Sequence, residues 1–386
     1  MEVVMLDPSA FTPPYDHHLC AGLAAIGCDL TLLTTDADYY LWDGETSYDR
    51  VEYFYGHTNG LYADRDSLPG RTALKGVEHL LDMARVVREV RSRDPDMVHF
   101  QWLPLPVIDR LYLRALARVA PLVFTVHDTT PFHGASTSRL QLLGARSVYD
   151  AFDRLVVHTR ASRDELVAQG VPASDVSVIP HGVLEYPDPV APAIDGREVE
   201  GRDGVDEVLF FGTIKPYKNV DTLLKAFAAL PPETREGTVL RIAGNPKVDV
   251  TPLKRLADSL GVAPAVRWDL RFVPDAEVPE LFAGADLVTF PYDDIDQSGA
   301  LLTALQYETP VVATDISGFA EVLTDGEHGF LVPPNDADAL AGAMDRILSD
   351  PDLSARMSER VGDLAESIPT WTEIAAQTRE VYRAVA

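Results

Sequence analysis

Phe210-Phe211-Gly212-Thr213-Ile214-Lys215-Pro216-Tyr217-Lys218-Asn219 is an apolar, β-favouring run that stops at a glycine, passes two lysines three residues apart and opens onto a helix-period segment. A strand that ends in a turn at the mouth of a helix is the repeating unit of a parallel α/β sheet. The same alternation runs outward from it in both directions. Downstream, strands are expected near Val208–Phe211, Val239–Ala243, Val266–Trp268, Leu287–Pro291 and Val311–Thr314. Helices are expected between them near Asp221–Ala229, Pro252–Leu260, Pro279–Ala283, Gly299–Tyr307 and Ala337–Leu348. Upstream, the strands are Val3–Leu6, Leu30–Thr34, Met97–Gln101, Leu122–Val126, Leu155–His158 and Val176–Pro180. The upstream helices are Arg71–Arg93, Val107–Arg118, Ser138–Phe152 and Arg160–Gln169, the first with Leu74, Val77, Leu80, Leu81, Ala84 and Val87 as its sheet-facing stripe.

Between Leu184 and Gly204 the pattern fails, in a Pro- and Gly-rich stretch with little apolar content. This is the expected linker. It divides the chain into two doubly wound α/β domains, residues 1–190 and 205–368, as a length of 386 residues allows. Two such domains are expected to face one another across a cleft, with chemistry in the loops that follow strands.

The composition is that of a folded globular protein, 46% hydrophobic and 24% charged. Sixty acidic residues against 33 basic ones give a net charge of −27, and acids are in excess on both sides of Val190. Such a surface repels phosphate backbones, which argues against nucleic acid as a partner. Arg85/Arg88 and Arg110/Arg114/Arg118 form basic rows at helical spacing, which suit either a solvated face paired with local acids or peripheral contact with an anionic membrane. Six of the basic residues are lysines, and arginine dominance with surplus carboxylate suits a GC-rich or salt-adapted organism.

The chain opens on a strand-like run, without the basic and apolar regions of a signal peptide, and no stretch reaches the ~18 apolar residues of a membrane span. A cytoplasmic protein is expected. Cys20 and Cys28, the two cysteines, lack four-ligand zinc spacing and read as small core residues in a reducing compartment. Asp36-x-Asp38 and Asp294-x-Asp296 are carboxylate pairs of the kind that bind metal, but they also arise by chance among 60 acids, and no metal is expected.

Five strand ends carry candidate chemistry. Lys215 and Lys218 place two cations at a helix start, fit to neutralise a diphosphate. Ser298-Gly299-Ala300 opens the helix after Leu287–Pro291 with free backbone amides, an anion site of the helix N-terminus type. Glu321, after Val311–Thr314, is placed to accept hydrogen bonds from sugar hydroxyls. His127 ends Leu122–Val126 and suits a hydroxyl or phosphate contact. Tyr15, Asp16, His17 and His18, in the loop after the first strand, suit an acceptor contact or a general base. Dinucleotide, Walker, nucleophile-elbow and zinc-protease motifs are absent.

Taken in order, these strings resemble retaining glycosyltransferases of family 4, which have the two-domain GT-B fold. Phe211–Asn219 resembles the family's Gly-Arg-Leu…Lys-Gly donor segment, and Thr309-Pro310-Val311-Val312-Ala313-Thr314 its Gly-x-Pro-Val-Val-Ala strand. Ser317-Gly318-Phe319-Ala320-Glu321-Val322 and Asp325-Gly326-Glu327-His328-Gly329-Phe330-Leu331-Val332 match its next two blocks. Val178-Ile179-Pro180-His181-Gly182-Val183 resembles the segment before its linker. Trp371–Tyr382 resembles its terminal helix, so that residues 369–386 are expected to cross back onto the first domain.

The resemblance implies transfer of a sugar, with retention, from a nucleoside diphosphate sugar to a glycan or lipid-linked acceptor, without an obligatory metal or other cofactor. It assigns catalysis to His127, Lys218 and Lys215, with His127 near the donor sugar and the lysines offsetting charge on the leaving diphosphate. Gly212 and Thr213 join the donor site, the amides of Ser298, Gly299 and Ala300 hold the distal phosphate, and Glu321 binds donor hydroxyls or ribose. The loop Arg271-Phe272-Val273-Pro274 cradles the base, and Tyr15–His18 meet the acceptor. Two departures stand out: Thr213 replaces the family's arginine, and Ile295 and Thr303 lie near the places of its Glu-x7-Glu pair. The missing Glu pair leaves open a non-catalytic nucleotide-sugar binder, and a nucleotide-sugar epimerase or glycoside phosphorylase on the same scaffold is a separate alternative.

Overall fold

The structure is a computed structural model that describes residues 1–36, 46–62, 71–129, 148–184, 186 and 205–386. Residues 138–147 of the expected helix Ser138–Phe152 and nearly all of the linker Leu184–Gly204 lie outside the described residues, as does Asp38. The described part of that segment holds a 3-10 turn at Tyr149–Ala151. The chain forms two compact units, the first ending at Gly182 and completed by Pro369–Ala386, the second running over Val183–Ile368.

Among the described residues the first unit holds seven strands: β1 Glu2–Leu6, β2 Asp29–Thr34, β3 Asp49–Glu52, β4 Met97–Phe100, β5 Leu122–Thr125, β6 Arg154–Val157 and β7 Val176–Val178. They lie in the order β3-β2-β1-β4-β5-β6-β7, all pairs parallel. Val3–Leu6 and Met97–Phe100 are buried throughout, as strands covered on both faces must be. β3 was not expected: Asp49-Arg50-Val51-Glu52 is an edge strand, and its polar residues suit an edge rather than a covered position.

Helix Arg71–Arg93 forms as expected and buries Val87 of its expected stripe, but the first half of that stripe does not face inward. Leu74, Val77 and Leu81 are exposed, while Glu78, His79 and Asp82 are buried beside Met83, Val86 and Val90. The buried acids have work there. Glu78 accepts the amides of His57 and Thr58, and Asp82 that of Tyr55, a left-handed residue at φ 59° that starts the turn into helix Gly56–Tyr62. His79 bridges the Tyr55 hydroxyl (2.8 Å) and the Asp109 carboxylate (2.6 Å). Backbone donors that would otherwise be orphaned decide which face goes in.

The terminal helix Trp371–Arg383 begins with a Thr370/Glu373 capping box and packs on helix Pro13–Ala25. Gly22 permits the approach, since a Cβ there would sit 2.6 Å from the Trp371 carbonyl. Tyr382 is fully buried and its hydroxyl meets His99 Nδ1 at 2.7 Å.

The second unit holds β8 Asp206–Phe211, β9 Thr238–Ala243, β10 Val266–Asp269, β11 Leu287–Phe290, β12 Val311–Thr314 and β13 Gly329–Val332. The order is β10-β9-β8-β11-β12-β13, again all parallel. Each sheet reverses its strand order once, between β1 and β4 and between β8 and β11. Loops leaving those strands diverge to opposite faces and open a crevice, the usual ligand site of such sheets.

Candidate functional site

In the second unit the crevice is framed by the loops after β8 and β11. Gly212 has φ 120°, and a Cβ on it would fall 2.9 Å from Lys218 Nζ. Gly244, after β9, has φ 151°, and any side chain there would run into the Gly212 carbonyl. Lys218 ends the turn Pro216–Lys218, and Asn219, left-handed at φ 49°, starts helix Val220–Ala229. Asn219 Nδ2 donates to Asp293 Oδ1 (2.5 Å), which also accepts from Asn335 Nδ2 (2.7 Å). Three strand-end loops are thereby tied together around the lysine.

Lys218 is 8% exposed, lies 4.7 Å from the centroid of the Tyr292 ring, and forms no ion pair among the described residues. Burial, reinforced by the nearby charge of Lys215, lowers its ammonium from 10.5 to about 7. Tyr292 lies wholly inside, with its hydroxyl unbonded. An anion that reached this lysine would supply the missing countercharge.

Ser298 caps helix Gly299–Gln306, its Oγ accepting the Leu301 amide, which leaves the amides of Gly299 and Ala300 as first-turn donors. Thr303, near the place of a family glutamate, is fully buried, donates to the Gly299 carbonyl and meets the Tyr186 side chain. Ile295 lies with its carbonyl against Gly318, whose lack of a side chain permits that contact. Glu321 is exposed at the end of the short helix Ser317–Ala320.

The loop expected to cradle a base is divided. Arg271 is held by Asp269 (2.8 Å) and Glu277, and Val273 is buried in the core, whereas Phe272 is exposed. The expectation that all of Arg271–Pro274 faces a ligand therefore fails at Val273, while Phe272 and Pro274 are exposed and Arg271 is engaged by its two carboxylates.

In the first unit, β5, β6 and β7 each lead into a histidine: His127, His158 and His181. His127 Nε2 lies 3.1 Å from the Gln101 amide that follows β4, His127 Nδ1 lies 3.3 Å from His158 Nε2, and His158 Nδ1 donates to the Ile179 carbonyl at 3.0 Å. Trp102 stacks on His127 at 5.1 Å, while Tyr15 presents its ring to all three histidines and to Trp371. Burial holds all three imidazoles neutral, lowering His158 to about 4, His181 to about 3 and His127 well below its ordinary value.

This placement corrects two expectations. Tyr15 is 3% and Asp16 1% exposed, so neither side chain meets an acceptor from solvent as expected. Tyr15 packs the histidine cluster, and Asp16 lies against Asp7; burial raises the proton affinity of both carboxyls, and the neighbouring Asp7 raises that of Asp16 further. Asp7 accepts the amides of Ser9 and Phe11 and is the better placed of the two to keep its charge. His17, bonded to Tyr48 (2.9 Å), and His18, stacked on Trp371, are half-buried. Gln101, His158, His181 and Tyr292 were not singled out, because their partners lie on other strands and no local spacing marks them.

The sequence model of Glycosyltransferase Family 4 matches residues 15–184, and that of Glycosyl transferases group 1 matches residues 196–362. Phosphatidyl-myo-inositol mannosyltransferase of Mycolicibacterium smegmatis is 31% identical over 78% of this chain and 74% of its own length. The chain belongs to glycosyltransferase family 4. Another family relative, D-inositol 3-phosphate glycosyltransferase of Streptomyces scabiei, is 30% identical over 74% of this chain and 65% of its own length, so the match spans less than two thirds of that relative. Among solved structures, Anabaena HepE in complex with UDP-glucose matches with a TM-score of 0.72 at 20% identity, over 100% of both chains. Sucrose-phosphate synthase of Thermosynechococcus elongatus matches with 0.73 at 17% identity, over 100% of this chain and 98% of its own. The fold is GT-B. Among the described residues no helix is long and apolar enough to cross a membrane.

Proposed function

We propose that this protein is a retaining glycosyltransferase that moves a sugar from a nucleoside diphosphate sugar to a glycan or lipid-linked acceptor, the donor bound on the second unit and the acceptor on the first. The observation that carries the reading is Lys218, a buried ammonium with no carboxylate partner among the described residues, at the crevice of the second sheet. Charge that grows on a departing diphosphate would meet Lys218 and Lys215 on one side and the amides of Gly299 and Ala300 on the other. Donors already in place need no reorganisation as the bond breaks, which is the largest usual source of catalysis in such sites. The lysines can fill this role without a metal. HepE, one of the structural neighbours, is seen with UDP-glucose. Relatives named for inositol phosphate and phosphatidyl-myo-inositol favour an acceptor with a ring of hydroxyls, free or on a lipid.

The exposed Leu74, Val77 and Leu81 continue along their helix into exposed Arg85 and Arg88, and Val107 and Leu111 continue into Arg114 and Arg118. In a chain of charge −27 these mixed apolar and basic stripes fit peripheral contact with an anionic bilayer. Cosedimentation with vesicles of anionic lipid, lost in Leu81→Ser/Leu111→Ser, tests that contact.

The function is tested by calorimetric titration with UDP, GDP, ADP and TDP, followed by transfer assays with donors of the nucleotide that binds and anomeric analysis of the product. Binding of none by the folded protein refutes the donor site, and an inverted product refutes retention. The burial of Thr303 favours one second reading, a nucleotide-sugar binder without turnover, which would bind a nucleotide yet transfer to no acceptor.

A further inference from the structure

The row Gln101, His127, His158, Ile179 crosses four adjacent strand ends, and its hydrogen bonds have a determined direction. A carbonyl only accepts, so His158 Nδ1 carries the proton that it shares with Ile179. His158 is 6% exposed and touches Tyr15, His127 and His181, with no carboxylate among its contacts in the described residues, so the ring is neutral and its Nε2 is a lone pair. His127 Nδ1, 3.3 Å away, must then be the donor, since two lone pairs would repel. A neutral His127 is left with its lone pair on Nε2, facing the Gln101 amide. The NH2 group of that amide belongs on this side. The amide turns by giving up a weak N–H···S contact, because among the described residues its other end meets the sulfur of Met5.

We propose that His158 is the positioning residue of His127, fixing it as the Nδ1–H tautomer so that Nε2 is offered as a hydrogen-bond acceptor to a hydroxyl of a sugar substrate. The Ile179 carbonyl is the anchor of the row. The stacked Trp102 and the edge of Tyr15 hold the ring plane, and a sugar hydroxyl that displaces the Gln101 amide makes the same bond. Held this way His127 accepts and does not give up a proton, so it orients substrate rather than acting as a general acid. The substrate half of this inference rests on the glycosyltransferase reading; the tautomer half does not.

The test uses the full chain labelled with 15N-histidine, with His127 assigned from the signal lost in His127→Asn. Long-range 1H–15N correlation at pH 7 should show His127 as a single Nδ1–H tautomer. In His158→Phe that preference should be lost, and in His158→Gln, whose amide oxygen can accept from Nδ1, it should return. An Nε2–H His127 in the wild type, or an unchanged tautomer in a folded His158→Phe, overturns the proposal. In transfer assays kcat/KM should fall about tenfold in His158→Phe, the equivalent of one hydrogen bond. It should recover in His158→Gln, with nucleotide affinity unchanged throughout. An unchanged kcat/KM despite a switched tautomer overturns the substrate role. Absence of turnover with every donor in the wild type instead counts against the proposed function, and the tautomer measurement still decides the positioning.

Discussion

Replacing Lys218 with methionine should stabilise the protein while removing its affinity for a diphosphate. Methionine keeps the length and most of the volume of the lysine stem against Tyr292 and removes the buried ammonium. A fall from 10.5 to about 7 corresponds to a cost of roughly 5 kcal/mol for burying the charged form, at 1.36 kcal/mol per unit. Because the value is depressed in the folded state, the unfolded chain binds the extra proton between about pH 7 and 10.5. Wild-type stability therefore rises with pH through that window, whereas below pH 7 the full cost applies. Urea unfolding at pH 6 should show Lys218→Met more stable by several kcal/mol. At pH 9 the difference should be about 3 kcal/mol smaller, since the wild type has by then recovered that much. Binding of a nucleoside diphosphate at pH 8 should draw about one proton into the wild type and none into the variant, as read from calorimetry in buffers of different ionisation enthalpy. A variant less stable than the wild type at pH 6, or a difference that does not change with pH, would refute the reasoning.

Gly212→Ala combines a backbone at φ 120° with a Cβ 2.9 Å from Lys218 Nζ, and should lower nucleotide affinity by at least about tenfold, by titration calorimetry, while the fold survives. Gly22→Val forces the terminal helix away from helix Pro13–Ala25 and should cost about 1–3 kcal/mol in denaturant unfolding. Asp109→Asn leaves His79 facing an amide in place of a carboxylate within a fully buried pair, and should cost about 3–5 kcal/mol with loss of protection at the amides of Tyr55 and Leu105 in hydrogen exchange. His99, His158 and His181 are held neutral in the fold at about 3, 4 and 3. The unfolded chain takes up their protons first, so stability present above about pH 6.5 should be lost as the pH falls toward 4, shown by falling urea midpoints that a His99→Gln variant makes less steep.

The sheet of each unit was legible because a strand covered on both faces must be a short apolar run, as Val3–Leu6 and Leu287–Phe290 are. β3 was not, since Asp49-Arg50-Val51-Glu52 lies at an edge where solvent satisfies its charges. The stripe Leu74, Val77, Leu81 was assigned inward on spacing alone, whereas the structure gives that place to Glu78, His79 and Asp82. Their partners are amides of residues 55–58, and a requirement set so far along the chain leaves no local periodicity. The same limit governs the site. Lys215 and Lys218 stand out because lysine is scarce and the turn is local, and Ser298-Gly299 because a cap and its helix adjoin in sequence. Gln101, His127, His158 and Ile179 become one row only when four strands lie side by side. Arg271 seemed available until Asp269 and Glu277 closed on it.

The last helix belongs to the unit that the ribosome makes first. Tyr382 fills a socket beside His99, and Trp371 seats against Gly22, Tyr15 and His181. At 5–20 residues per second, the span from Gly182 to Pro369 takes roughly 10–40 s to synthesise. Through that interval the nascent first unit has its sheet but lacks its closing element, and it presents an open apolar seat to chaperones and proteases while the second unit is being completed. A truncated product that stops before Trp371 can finish the second unit but never the first, so errors late in translation are exposed in the earliest part of the polypeptide.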